Sequence, residues 1–399
     1  MEQLAERPDH VPPERVVDFD VYYADWLDAG YHEFFAQLQG PGKPGLVWTP
    51  QNEGHWIAAS GELIWDMFPN HEDFSNHLVI VPRSIGEQDR RIPSTLDPPE
   101  HQPIRALMDA GLGPKSIRQI EPLIRQLAID LIESFAEDGH CDFNRQYAQI
   151  LPIQVFLGLV DLPLSDVDEL KYWCGQIVHP DGENSFETAS QWFRDYLGPV
   201  IERRLGGDGT DLFSIMINGN VHGRPLDREE MYNLCLQALL GGLDTVVNFM
   251  GFMMLGLAQN AEVRRRLAAD SAMIPKAVEE LLRSYSVVNV ARVVRRDLHC
   301  DGVELKRGDI VMLPTSLVGT DEKLNKCPFT VDLDRKRPRH AAFGRGPHFC
   351  PGVHLARAEI KVTLEEWLRR IPEFSLAPDA EPKFRSGIVG TVRGVSLEW

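Results

Sequence analysis

A mainly α-helical fold carrying minor β sheets is what this sequence predicts, on three observations. From Pro103 to about Pro275, apolar residues recur mostly at helical spacing. Beyond that the texture changes: "VVRRDLHCDGVELKRGDIVMLPT" alternates apolar and polar residues around a D-G turn, as strands do. Strand-like stretches also lie near the N-terminus and at the C-terminus, so the minor sheet joins segments far apart in the chain.

Taken in order, "KPGLVWTP" and "HWIAAS" read as the two strands of a hairpin. "IRQIEPLIRQLAIDLIESFAE" carries a clear 3.6-residue apolar period. "REEMYNLCLQALLGGLDTVVNFMGFMMLGLAQN" predicts one longer, largely apolar helix with a pair of glycines inside it, and "IPKAVEELLRSYS" a further helix. "VHLARAEIKVTLEEWLRRI" spaces Val353, Leu355, Ile360, Val362, Leu364, Trp367, Leu368 and Ile371 largely along one helical face. "SGIVGTVRGVSLEW" ends the chain in strand style. No repeat, low-complexity run or linker stands out. One domain over residues 1–399 is the simplest account, its β-rich part mainly in 44–60, 292–316 and 384–399.

The chain has 399 residues, 43% of them hydrophobic and 25% charged, which is ample for a large core. A net charge of −18 argues against nucleic acid or an anionic membrane as the main partner. The six cysteines are scattered with no C-x-x-C pair, a pattern of reduced thiols rather than of disulfides or a structural zinc site. The N-terminal "MEQLAERPDHVPPERVVDFD" is acidic and proline-bearing, with neither a signal-like core nor a spanning stretch, so a cytoplasmic location is expected.

Three constellations carry chemistry. In "FGRGPHFCPG", Cys350 sits between glycine-bearing turns at a helix entrance, where unpaired N–H groups favour a thiolate. The bland alternative is a buried, inert cysteine. In "GGLDT", an acid and a hydroxyl interrupt a stretch otherwise as apolar as a core helix, and a buried carboxylate must pair or serve chemistry. Its alternative is a kink with a surface Asp. "EELLR" places Glu280 and Arg283 at i,i+3, by itself an ordinary pair. Arg105, Arg292, Arg345 and His348, with His101, form a scattered cationic set suited to carboxylates.

Gly-Gly-x-Asp-Thr, then Glu-x-x-Arg, then Phe-x-x-Gly-x-His-x-Cys-x-Gly, in that order, resembles the cytochrome P-450 family. With "TLDPPE", "LEEWLRRIPEFSLAP" and "SGIVG", the chain is similar to bacterial camphor-hydroxylase-like members from about Val11 to Trp399. The resemblance implies the cytochrome P-450 fold, a triangular helical prism enclosing haem b around a long central helix. It implies a monooxygenase that consumes O2, with Cys350 as the iron ligand and Phe343 packed beside the sulfur. Gly346 and Gly352 would let the loop lie against the porphyrin, and Arg105, Arg292 and His348 would hold propionates with help from His101. Gly241 would leave room for O2, Thr245 would supply a hydroxyl there, and Asp244 would feed protons. Glu280 and Arg283 would brace the haem-loop side.

No flavin or nicotinamide domain fits in this length, so the resemblance also implies a [2Fe-2S] ferredoxin, reduced by a separate NADH-dependent ferredoxin reductase. It would dock on the cysteine side, near Arg105, Arg345 and Arg357. The departures concern the substrate. Asp89 falls where the camphor enzyme has a tyrosine, Ile80 where it has an aromatic wall residue, and Gln237 where an apolar residue is expected. Val178, Leu240, Val288, Ile388 and Val389 keep the expected pocket apolar. A small terpenoid or norisoprenoid (ionone-like) ketone is the expected substrate, with camphor itself as the alternative. His179 replaces the arginine partner expected for Asp244. Two rivals remain: a peroxide-driven or gas-sensing haem-thiolate protein, and a cysteine hydrolase pairing Cys350 with His348.

Overall fold

The computed structural model describes residues 4–23, 27, 29–178 and 183–399. His179 lies outside them. Helices dominate, and a five-stranded sheet is assembled from the N-terminal hairpin, Phe74–Ser75, Asn289–Val294 and Ile310–Pro314. The hairpin strands Leu46–Thr49 and His55–Ala58 pair antiparallel with Trp48 opposite Trp56, and the second strand runs parallel to Ile310–Pro314. All four residues of each hairpin strand are buried. The expected D-G turn forms at Asp301 and Gly302, both with positive φ (50° and 76°), as a two-residue hairpin between Leu298–Cys300 and Val303–Leu305 requires. Within the largely helical middle the structure adds one small hairpin, Asn220–Val221 with Arg224–Pro225.

The expected single helix over 228–260 is two helices, Arg228–Leu243 and Thr245–Gln259. The first starts on a capping box in which Asp227 and Glu230 each accept from the other's backbone N–H. Asp244, at φ −127° and ψ −45°, interrupts the helix directly after Gly241, Gly242 and Leu243. Two glycines each weaken a helix by about 1 kcal/mol relative to alanine, so the interruption falls where the helix is least stable. Arg228–Gln259 is long and apolar enough to cross a membrane, yet its most apolar stretch is mostly buried within the protein. Every residue from Val247 to Ala258 is buried, which accounts for the apolar composition.

The cysteine loop leads into the helix Val353–Arg370, which packs along the helix Pro114–Glu133. Its apolar face carries Trp367 into an aromatic cluster with Phe135, Phe143, Tyr147 and Phe374. Arg125 crosses to Glu365 (2.6 Å) and to the fully buried Glu366. The same helix is thereby anchored at its far end while its first turns face the interior cavity.

Candidate active site

A cavity of about 340 Å³ lies between the kinked helix and the cysteine loop. Cys350, Phe343 and Gly352 form one wall; Gln237, Gly241 and Thr245 face it from the kinked helix. Ile80, Val288 and Ile388 contribute apolar wall, and His101, Arg105, Arg292 and His348 line a basic side.

The backbone fixes the cysteine. Its N–H donates to the Phe343 carbonyl at 2.9 Å, closing the loop on itself. Burial pushes the Cys350 thiol pKa up, opposed by the Gly352 backbone and by Arg105 and Arg357. A desolvated thiol of this kind becomes a thiolate readily only when a metal cation takes the proton's place. Gly346 does not line the cavity: its φ of +72° turns the loop, and a Cβ there would lie 2.6 Å from Pro69 Cα. Its close approach is to protein, a correction to the expectation that it faces a macrocycle.

The two helix glycines differ. A Cβ on Gly242 would meet Phe156 at 2.3 Å, whereas one on Gly241 would meet nothing within 4 Å. Gly241 thus leaves open space above the cavity. Asp244 is not on the wall; it is half-buried, and its charge contributes to raising the thiol pKa of Cys174 in the helix Val167–Val178.

The basic side is unusual in what it lacks. Among the described residues Nδ1 of His101, Nε2 of His348 and Nε of Arg292 are buried without any hydrogen-bond partner. The two imidazole rings lie 4.1 Å apart. Burial holds the His348 pKa down to about 2, helped by Arg292, and the His101 pKa to about 4, helped by Arg105. Burial also lowers the Arg292 guanidinium to about 10. Orphaned buried donors carry a desolvation cost of about 1–3 kcal/mol each. Carboxylates of a ligand would satisfy all three, so the donor set fits the propionates of a haem, which Cys350 would hold. His348 lies tilted against His101, and no hydrogen bond joins it to Cys350 among the described residues, which removes the Cys–His dyad a hydrolase needs.

Four residues expected at the pocket do not line it. Asp89 is 4% exposed and turned into an ion pair with Arg91. Val178 closes the helix Val167–Val178, Leu240 is buried in helix packing, and Val389 bridges Val288 through the backbone. All three are apolar residues consumed by the core. Two charged lining residues were not anticipated. Arg91 is one; its signal was Asp89 itself, since an acid in an apolar wall needs a partner and i+2 lies on the same side of an extended chain. Glu359 is the other, 1% exposed, with Oε1 unpartnered and its carboxyl pushed well above the usual range by burial.

Glu280 and Arg283 are buried rather than solvated. Arg283 is 0% exposed, lies 2.8 Å from Glu280, and donates to the carbonyls of Gly319, Pro328 and Thr330. Of the docking candidates, Arg105 pairs with Asp109 at 2.8 Å and Arg357 with Glu279 at 2.7 Å, while Arg345 lies over Trp65 at 3.7 Å.

The family model described as "Cytochrome P450" matches residues 200–389. A probable cytochrome P450 127A1 of Sinorhizobium fredii is 32% identical over 98% of this chain and 96% of its own length. A steroid C26-monooxygenase of Mycolicibacterium smegmatis is 32% identical over 73% of this chain and 74% of its own. Among solved structures, CYP101J2 superposes with a TM-score of 0.91 at 45% identity, covering 99% of this chain and all of that one. CYP101C1 follows at 0.90 and 37%, with the same coverage.

Proposed function

The chain belongs to the cytochrome P450 family of haem-thiolate monooxygenases, and from that premise we propose that it hydroxylates an unactivated C–H bond of a small terpenoid or norisoprenoid ketone. Haem b, held through a cysteine thiolate, supplies the activation of O2 by which one oxygen atom enters the substrate and the other leaves as water.

The residues act around that group. Cys350 provides the thiolate. Arg105, Arg292, His101 and His348 receive the propionates, and the unpartnered nitrogens of Arg292, His101 and His348 support this assignment. Thr245 presents its hydroxyl beside the open space at Gly241, where it holds and passes a proton, and Asp244 at the helix break supplies protons from behind it. Gln237 offers one amide on a wall that also carries Arg91 and Glu359 but is built largely of apolar residues such as Ile80, Val79, Val288 and Ile388. That apolar wall with few polar groups is the observation that carries the substrate assignment: an apolar body with one oxygen function fits it. A [2Fe-2S] ferredoxin, reduced by an NADH-dependent reductase, delivers electrons at the cysteine face, in the cytoplasm. There Arg345 has its guanidinium stacked on Trp65 rather than locked to an acid.

The test is a spectral titration of the purified ferric protein with β-ionone and, separately, camphor. A ligand that displaces iron-bound water moves the Soret band to the high-spin position. A shift with β-ionone and none with camphor is the expected result; a strong camphor shift alone overturns the substrate assignment. Absence of a red-shifted CO difference band in the reduced protein would overturn the haem-thiolate reading itself.

A further inference from the structure

We propose that Arg91, braced by Asp89, is the polar anchor of the substrate cavity and presents a guanidinium N–H to a neutral oxygen acceptor on the substrate. The inference rests on the monooxygenase reading above and deepens it by naming the contact that orients the substrate.

Arg91 is 7% exposed and lines the cavity. Only Nη2 of its fork is engaged, by the Asp89 carboxylate. Nε is buried with no partner, and Nη1 makes no hydrogen bond among the described residues. Its backbone carbonyl is fixed by the N–H and hydroxyl of Thr95, so the side chain springs from a closed turn rather than a loose loop. Around the pair stand Tyr22 of the N-terminal segment, Cys174 of the helix Val167–Val178 and Tyr232 of the helix Arg228–Leu243, each of which feels the charge of one or both residues. The pair therefore sits close to the N-terminal segment and to both of these helices.

A buried ion pair is a poor stabiliser, since desolvating both charges offsets most of their attraction, and apolar residues would fill the space at similar stability. What the pair supplies is a charged donor held in place inside an apolar chamber. Its charge is already matched by Asp89, so a second carboxylate would add an uncompensated anion, whereas a carbonyl or ether oxygen completes the fork without changing the charge. Asp89 thus takes no part in contact with the substrate; it positions the residue that does.

Matched ligand pairs test this by the spin-state shift: β-ionone against its deoxygenated hydrocarbon, camphor against bornane, and, outside the terpenoids, acetophenone against ethylbenzene. The wild-type protein is expected to bind the oxygenated member about 10- to 100-fold more tightly, the worth of a hydrogen bond from a charged donor. Arg91→Met alone strands a buried carboxylate, so the variant to use is Asp89→Asn with Arg91→Met, in which the preference should vanish while hydrocarbon binding persists. Terpenoids that bind with no oxygen preference, or a preference that survives in the double variant, overturn the role of Arg91 and leave the substrate class standing. Silent terpenoid pairs with a normal acetophenone preference overturn the substrate class and leave Arg91 standing. Silence of all three pairs overturns both, and benzoate binding more tightly than acetophenone overturns the neutral-acceptor assignment.

Discussion

Replacing Glu280 by glutamine removes one charge from the most deeply buried ionic cluster among the described residues and almost no volume. Glu280 accepts from Arg283 Nε and Nη2 (2.9 and 2.8 Å), from Arg335 Nε (3.0 Å) and from the Asp332 backbone N–H (2.9 Å). In the variant two guanidinium groups face an amide that offers its own donors, and Arg283 at 0% exposure has no water to turn to. Breaking a buried pair from one side costs about 3–5 kcal/mol. Unfolding entropy of about 2.1 cal/mol/K per residue over 399 residues makes that a fall in Tm of about 4–6 °C. Far-UV circular dichroism during a thermal ramp of the haem-loaded protein measures it. Arg265→Gln, which breaks a pair whose members are 65% and 58% exposed, is the control and should move Tm by no more than about 1 °C. Equal midpoints for Glu280→Gln and the control would refute the argument that burial, and not the mere presence of an ion pair, sets the cost.

Thr245→Ala should leave the ferric substrate shift intact while product formed per NADH falls several-fold and peroxide rises; full coupling would remove Thr245 from the proton path. Arg292→Leu, at a donor with no protein partner for Nε, should fold but bind haem more weakly, seen as a lower Soret-to-protein absorbance ratio after a fixed dialysis; undiminished retention counts against the propionate assignment. Burial alone would raise the Glu279 carboxyl, but hydrogen bonds from His340 and Arg357 hold it down at about 2 against an ordinary 4.5. Its stabilising contribution is therefore complete above about pH 4.5 and is lost as pH falls towards 2. Glu279→Gln should flatten acid unfolding in that window, and an unchanged acid profile would contradict it.

The helical body, the hairpin and the D-G turn were legible because each rests on local chemistry: apolar period, strand alternation and residues that accept positive φ. The break at Asp244 was half legible. Two glycines and an acid in an apolar run signalled a disturbance, but whether a helix bends or stops is decided by neighbours such as Phe156, which the sequence places far away. On the site, most residues that motifs mark fall together around one cavity, since Cys350, Gly241, Thr245, His101, Arg105, Arg292 and His348 line it, while Asp244 and Arg345 do not. The substrate wall was read less well. Val178, Leu240 and Val389 are apolar like true lining residues, and apolarity cannot tell a side chain that faces a cavity from one that faces the core. Arg91 and Glu359 escaped for the opposite reason: charged residues read as surface until the fold buries them.

The adjacent glycines of the kinked helix set opposite limits on anyone reshaping this chamber. Position 241 tolerates a new methyl with no atom in its way, so alanine, serine or cysteine introduced there would trim the chamber from above while the scaffold stays put. Position 242 is the keyhole for the Phe156 ring, and any side chain there must displace that ring. A mutagenesis library aimed at new selectivity therefore has one free dial and one fixed stop, side by side on the same turn of backbone.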